Sequence, residues 1–185
     1  HSSDEVKGSV IDFLCKNKDR CFLEIQHHNV EDQKVYNLKL VELSKKYNVK
    51  LIVFDATNIT YPYGGELIDL NIANSDGVWS KVTNVIKRVK KVREIKKKYK
   101  IDCAISLLDG PNIVNVLSSC GEKTIVSVRN MLSHEPMSAL RKKLVRFTST
   151  HSDVTVSLSE MVKHDLIHYF GISKNKITTI YNHCD

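Results

Sequence analysis

Val154-Thr-Val-Ser157, Ser159 to Phe170, Gly171 and Ile177-Thr-Thr-Ile-Tyr181 read in succession as strand, helix, stop and strand. Ser157-Leu-Ser159-Glu160 places hydroxyls where a helix start leaves amides unpaired, and Gly171 tolerates the left-handed backbone that ends a helix. These signals define one βαβ unit. Any α/β domain can carry such a unit, so function has to come from elsewhere.

Working outward, the same alternation recurs. Val78 to Tyr99 is the longest helix, and its apolar positions Val82, Val85, Ile86, Val89, Val92, Ile95 and Tyr99 recur at threes and fours, predicting one face packed on a sheet. Ile101 to Leu108 is a strand, followed by Asp109-Gly-Pro-Asn112 and a short helix to Ser119. Pro111 suits a first helical turn because it lacks the amide that would go unpaired there, and Asp109 reads as a cap. Lys123 to Val128 is the next strand, with Arg129 to Pro136 at its carboxyl end and a helix from Met137 to about Ser149. Towards the N-terminus, residues 4–17 and Glu31 to Tyr47 carry helical spacing, and Cys21 to Ile25, Val49 to Phe54 and Glu66 to Ile72 read as strands. Gly64-Gly65 precedes a strand and no helix, so it reads as a turn and not a phosphate cradle. The expected fold is one doubly wound, mostly parallel Rossmann-like α/β domain over residues 1–185, with six or seven strands and helices on both faces. The loops after residues 108 and 128 then lie at carboxyl ends of adjacent strands, where open α/β sheets bind ligands.

Composition narrows the partners. Lys plus Arg number 28 against 21 acids, a net charge of +7, which favours either anionic partners or simply a solvated basic surface. From Lys81 to Lys100 there are ten basic residues and one acid, Glu94. Lys87, Arg88, Lys90, Lys91, Lys97 and Lys98 are therefore candidates for contact with an anionic membrane surface. The five cysteines are widely spaced and form no Cys-x-x-Cys pair, as free thiols in a reducing compartment do. No apolar run approaches the roughly 20 residues that cross a bilayer, and the expected location is cytoplasmic, peripheral on the inner face of the cell membrane.

Read as a whole string, Val156-Ser-Leu-Ser-Glu-Met-Val-Lys-His-Asp-Leu166, Phe170-Gly-Ile172, Lys176 to Asn182 and Asp185 resemble the end of the N-terminal half of family 4 glycosyltransferases. The resemblance covers about residues 35–185 and implies the acceptor-side half of a two-domain GT-B enzyme of polysaccharide biosynthesis. It implies a sugar moved from a nucleotide-sugar donor to a saccharide or lipid-linked acceptor, no cofactor held by this chain alone, and inactivity without a C-terminal donor-binding domain expected to be missing here. Leu108-Asp-Gly-Pro-Asn112 and Ser127-Val-Arg-Asn130 resemble acceptor-side loops of that family. The implied acceptor-binding candidates are Asp109, Asn112, Arg129, Asn130, His134 and Glu135. Arg129 either contacts phosphate or a hydroxyl-rich acceptor, or pairs with Asp109 or Glu135. The loop after the first strand holds His27, His28 and Asn29 where the family carries glycines.

A second resemblance overlaps the first. Phe22-Leu-Glu-Ile-Gln-His-His-Asn-Val-Glu-Asp-Gln33, Asn37 and Leu43 to Ile52 are similar to the PHP phosphoesterase domain of bacterial replicative DNA polymerases, over about residues 5–52. That resemblance implies a metal ligand at His28. The family's next Asp-x-His motif is replaced by Phe54-Asp-Ala-Thr-Asn-Ile-Thr60, and no histidine falls between His28 and His134, so no metal site is expected. A join of two sequence families near residues 44–53 would explain both resemblances. The alternatives to sugar transfer are a metal-dependent phosphoesterase fragment and a non-catalytic basic membrane-binding module.

Overall fold

The computed structural model describes residues 21–26 by backbone, and residues 47–57 and 63–181 in full. The strands are β1 (Cys21–Gln26), β2 (Asn48–Val53), β3 (Glu66–Asp69), β4 (Cys103–Leu107), β5 (Lys123–Val128), β6 (Val154–Ser157) and β7 (Ile177–Thr179). The helices are α1 (Val78–Lys98), α2 (Asp109–Leu117), α3 (Ala139–His151) and α4 (Glu160–His168). Among the described residues seven strands lie in one sheet, in the order β3-β2-β1-β4-β5-β6-β7, and every pairing is parallel. This is a mixed α/β, Rossmann-like sheet. The two segments expected as helices over residues 4–17 and 31–47 lie outside the described residues, as do His27, His28 and Asn29.

Local chemistry sets the element ends. The Ser159 hydroxyl accepts the Val162 amide at 3.2 Å and starts α4, and Gly171 stands at φ 68° just beyond that helix. Gly65 has φ 88°, and a side chain there would collide with the Val49 carbonyl; the glycine is what lets β3 come alongside β2. The strand expected over Glu66 to Ile72 ends at Asp69 because Asn71 turns to φ 51°, although Leu70 and Ile72 still donate to Val53 and Phe54.

Parity along the strands divides the core. Ala104, Ile52, Phe54, Val92 and Val114 pack together under α1 and α2. Val128, Val145, Val162, Leu166, Phe170 and Ile177 continue that layer under α3 and α4. Cys103, Ile105, Ile125, Tyr47 and Val49 point to the opposite face, so β4 is buried on both sides.

Two expectations about α1 are corrected. Val82 and Ile86 do not pack on the sheet: about half of each is exposed. Conversely, two members of the basic run face inward. Arg88, a proposed membrane contact, is buried; it stacks on the Phe54 ring and donates to the Ile72 carbonyl at 2.6 Å and Asn74 Oδ1 at 3.1 Å. Lys96 is fully buried, its ammonium reaching Glu122 Oε1 at 2.6 Å, Asn115 Oδ1 at 2.8 Å and the Asn115 carbonyl at 2.9 Å.

That triad is satisfied on both sides. Burial by itself would push the Glu122 carboxyl up, but the Lys96 hydrogen bond and charge, helped by the Cys120 amide at 2.9 Å, hold it below the usual range. Removing one partner of a fully buried ion pair leaves an uncompensated charge, so Lys96→Met and Glu122→Gln are each expected to destabilise by about 3–5 kcal/mol in urea unfolding, whereas the Lys96→Met/Glu122→Met double change recovers most of the loss. A carboxyl with a lowered folded pKa stabilises above its unfolded value of roughly 4.3 and loses that contribution as pH falls through the folded value. The gap between wild type and Glu122→Gln should accordingly narrow when the same urea curves are taken below about pH 4.

Candidate functional site

The sheet order reverses between β1 and β4, and ligands of open α/β folds sit in the crevice that such a reversal opens at the carboxyl edge. Beside it, a cleft of about 310 Å³ is lined by Leu108, Asp109, Gly110 and Pro111 after β4, by Ser127 to Asn130 at the end of β5, and by Leu132 and Arg141. Leu108 joins β4 to α2 at φ 73°, ψ 160°, a region that side chains avoid at a cost of order 1–3 kcal/mol. Strain of this kind persists only where neighbours over-determine it. Here they do, because α2 is fastened to both strands from within.

The fastening is a chain of buried amides. Asn115 Nδ2 donates to the Ala104 and Ile125 carbonyls at 3.2 and 3.1 Å and to Ser106 Oγ at 3.1 Å. Ser106 Oγ donates to Asn112 Oδ1 at 2.7 Å, and Asn112 Nδ2 donates to the Ser127 carbonyl at 3.0 Å. Asn112, a candidate acceptor contact, is 2% exposed with both ends of its amide engaged, so it shapes the cleft from behind.

The charged groups at the mouth are sorted by Arg141, at the start of α3. Its Nε donates to Asp109 Oδ2 at 2.7 Å and its Nη1 to Glu135 Oε2 at 2.8 Å, while Asn130 Nδ2 donates to Glu135 Oε1 at 3.1 Å. The hydrogen bond to Asp109 raises the Arg141 pKa, burial opposes it, and the hydrogen bond to Glu135 adds to the rise. Arg141 therefore makes the pairings that were one of the two alternatives for Arg129, and Asp109 is held by that ion pair instead of capping a helix. Among the described residues the Arg129 guanidinium has no ion pair or hydrogen bond, and Asp109 Oδ1 accepts none. His134 is exposed in a short 3-10 turn and does not line the cleft.

Sequence reasoning brought together Asp109, Arg129, Asn130 and Glu135 and missed Arg141 and Leu108. Arg141 was one of four basic residues on a helix, and only the proximity of α3 to α2 picks it out. Nothing in the string Leu107-Leu108-Asp109 announces a positive φ. Among the described residues no three His, Cys, Asp or Glu side chains converge on a metal position.

Fold and cleft define the class: a Rossmann-like domain of the kind that forms the N-terminal half of GT-B proteins. Residues 45–185 match the family described as Glycosyltransferase Family 4, and the chain belongs to that family. Among solved structures it is similar to a glycosyltransferase from Rickettsia africae ESF-5, at 17% identity and TM-score 0.67, covering 91% of this chain and 44% of that one. Sucrose-phosphate synthase from Thermosynechococcus elongatus is similar at 11% identity and TM-score 0.66, covering 90% and 49%. UDP-GlcNAc 2-epimerase from Methanocaldococcus jannaschii follows at 14% identity and TM-score 0.56, covering 86% and 45%. The chain thus spans under half the length of each of these three proteins. No curated protein matches in sequence. None of these matches is to a PHP domain, and β1, inside the PHP-like segment, pairs with β2 and β4 in the common sheet.

The geometry separates scaffold from mouth. Asn112→Ala would take the Ser106 hydroxyl's better acceptor and the side-chain donor to the Ser127 carbonyl out of the core, and should cost about 1–3 kcal/mol in chemical denaturation. Arg141→Ala removes ion pairs that are a third exposed, and solvent screening limits its cost to about 1 kcal/mol or less in the same measurement.

Proposed function

We propose that this domain is the acceptor-side half of a glycosyltransferase, moving a sugar from a nucleotide-sugar donor to a saccharide or lipid-linked acceptor once a donor-binding domain faces its carboxyl edge. The observation that carries the reading is the cleft's division of labour. Arg141 bridges Asp109 and Glu135 and fixes both, which leaves Arg129 as a cation with an open fork beside an oriented carboxylate. A guanidinium fork binds phosphate, carboxylate or paired hydroxyls bidentately. In this reading Asp109 Oδ1 accepts the hydrogen bond of an acceptor hydroxyl and then its proton, as that oxygen forms the glycosidic bond and the nucleoside diphosphate leaves with the electrons of the bond it held to the sugar. Membership of the family and the greater length of the similar proteins support a two-domain arrangement.

The test is transfer of labelled sugar from a panel of uridine- and guanosine-diphosphate sugars to saccharide and lipid extracts, by the protein expressed at its native length. Arg129→Ala should raise the acceptor KM and lower kcat/KM by about 100-fold, the equivalent of losing one or two charge-assisted hydrogen bonds. Arg129→Lys should recover part of it. Transfer unaltered by Arg129→Ala would remove Arg129 from the acceptor site, and no transfer from any donor would remove the activity.

A further inference from the structure

The exposed side of α1 changes character along its length. Trp79, Val82, Ile86, Lys90, Arg93 and Lys97 recur at intervals of three and four, so they share one face beside the buried line of Arg88, Val92 and Lys96. The first half of that face is apolar and open to solvent: Trp79 is 84% exposed, Val82 47% and Ile86 50%, with Val78 at 76% on its margin. The second half is cationic. Arg93 is tied to the Leu117 carbonyl at 2.6 Å, while Lys90 and Lys97 have no partner among the described residues. The first turn of α1 contains no acid.

We infer that this face docks the domain on an anionic phospholipid surface, with Trp79, Val82 and Ile86 entering the interface and Lys90 and Lys97 meeting the headgroups. An indole is at home at the boundary between acyl chains and headgroups. Apolar burial and cationic contact on one helix face are the two contributions that hold an interfacial helix. A second copy is a poorer occupant, because it would leave the cationic half of the face, on a chain of net charge +7, without an anionic partner. The basic residues read from the sequence as membrane contacts divide accordingly: Lys90 and Lys97 lie on this face, Arg88 is buried, and Lys87, Lys91 and Lys98 lie on other sides of the helix.

The patch also sits at the cleft's edge of the sheet. Both α1 and α2 start from that edge, and Lys96 lies beside Asn115. At 1.5 Å per residue α1 rises about 27 Å from Lys96 back to Val78, against about 9 Å for α2 from Asn115 back to Asp109. The apolar turns thus project beyond the edge of the sheet at which the cleft opens. A lipid-linked acceptor would be presented where Arg129 and Asp109 stand, a consequence that rests on the sugar-transfer reading; vesicle binding does not, so either can fail alone.

Trp79 is the chain's single tryptophan, so its own fluorescence reports the contact. The protein is titrated with vesicles of phosphatidylcholine alone and of phosphatidylcholine with about one third phosphatidylglycerol. Expected are a blue shift and protection from iodide quenching with the anionic vesicles only, weakened about tenfold by Val82→Gln/Ile86→Gln and made insensitive to salt by Lys90→Gln/Lys97→Gln, with far-ultraviolet circular dichroism unchanged. Vesicle binding that leaves Trp79 emission unaltered would overturn the proposal. So would a blue shift that follows protein concentration without vesicles, which would make the face a protein interface.

Discussion

One buried ammonium organises this domain. Lys96 arrives from α1, Asn115 from α2 and Glu122 from the turn into β5, and the three meet with no side-chain exposure at Lys96 or Glu122. Desolvating a lone charge there would be prohibitive, so the position is tolerable only if both helices and the β5 approach are in register. The pair need add little net stability. Its effect is selective, because alternative packings of α1 that slide by one residue strand a charge in the core.

The same network reaches the functional edge. From Lys96 the hydrogen bonds run through Asn115 and Ser106 to Asn112 and end on the Ser127 carbonyl, a residue that lines the cleft. Held on this line, α2 cannot relax away from β4, and the strained backbone at Leu108 is kept in place. The mouth then inherits fixed geometry. Arg141 can bridge Asp109 and Glu135 only because α2 and α3 are packed side by side, and that bridge is what leaves Arg129 unsatisfied.

Periodicity made most of the fold legible. Apolar runs over residues 101–108 and 123–128 became strands, and Ser159 and Gly171 bounded a helix as their chemistry requires. What could not be read was partnership. Ten basic residues between 81 and 100 look alike in a string, yet Lys96 falls four residues after Val92 and three before Tyr99, on the inward face, and that spacing was a usable signal. Its partner was not legible, because Glu122 follows Gly121 in a turn whose position depends on β5. Arg129 and Arg141 are likewise equivalent on paper. Which of them takes Asp109 is decided by the packing of α3, a tertiary fact.

The exposed apolar turns of α1 follow from lengths. The connection from β3 to β4 crosses β2 and β1, and its helix has 21 residues, about 31 Å, over strands of four to six residues that rise only about 13–20 Å. Some surplus must project beyond one edge of the sheet. Lys96 decides which, because its bonds to Asn115 and Glu122 pin the C-terminal end of α1 near the start of β4 and β5. The surplus therefore emerges at the carboxyl edge, where Val82 and Ile86, on the face they share with Lys90 and Lys97 beside the buried line, stay open to solvent. A period read from sequence assigns a face; it cannot say whether the partner surface is long enough to meet it.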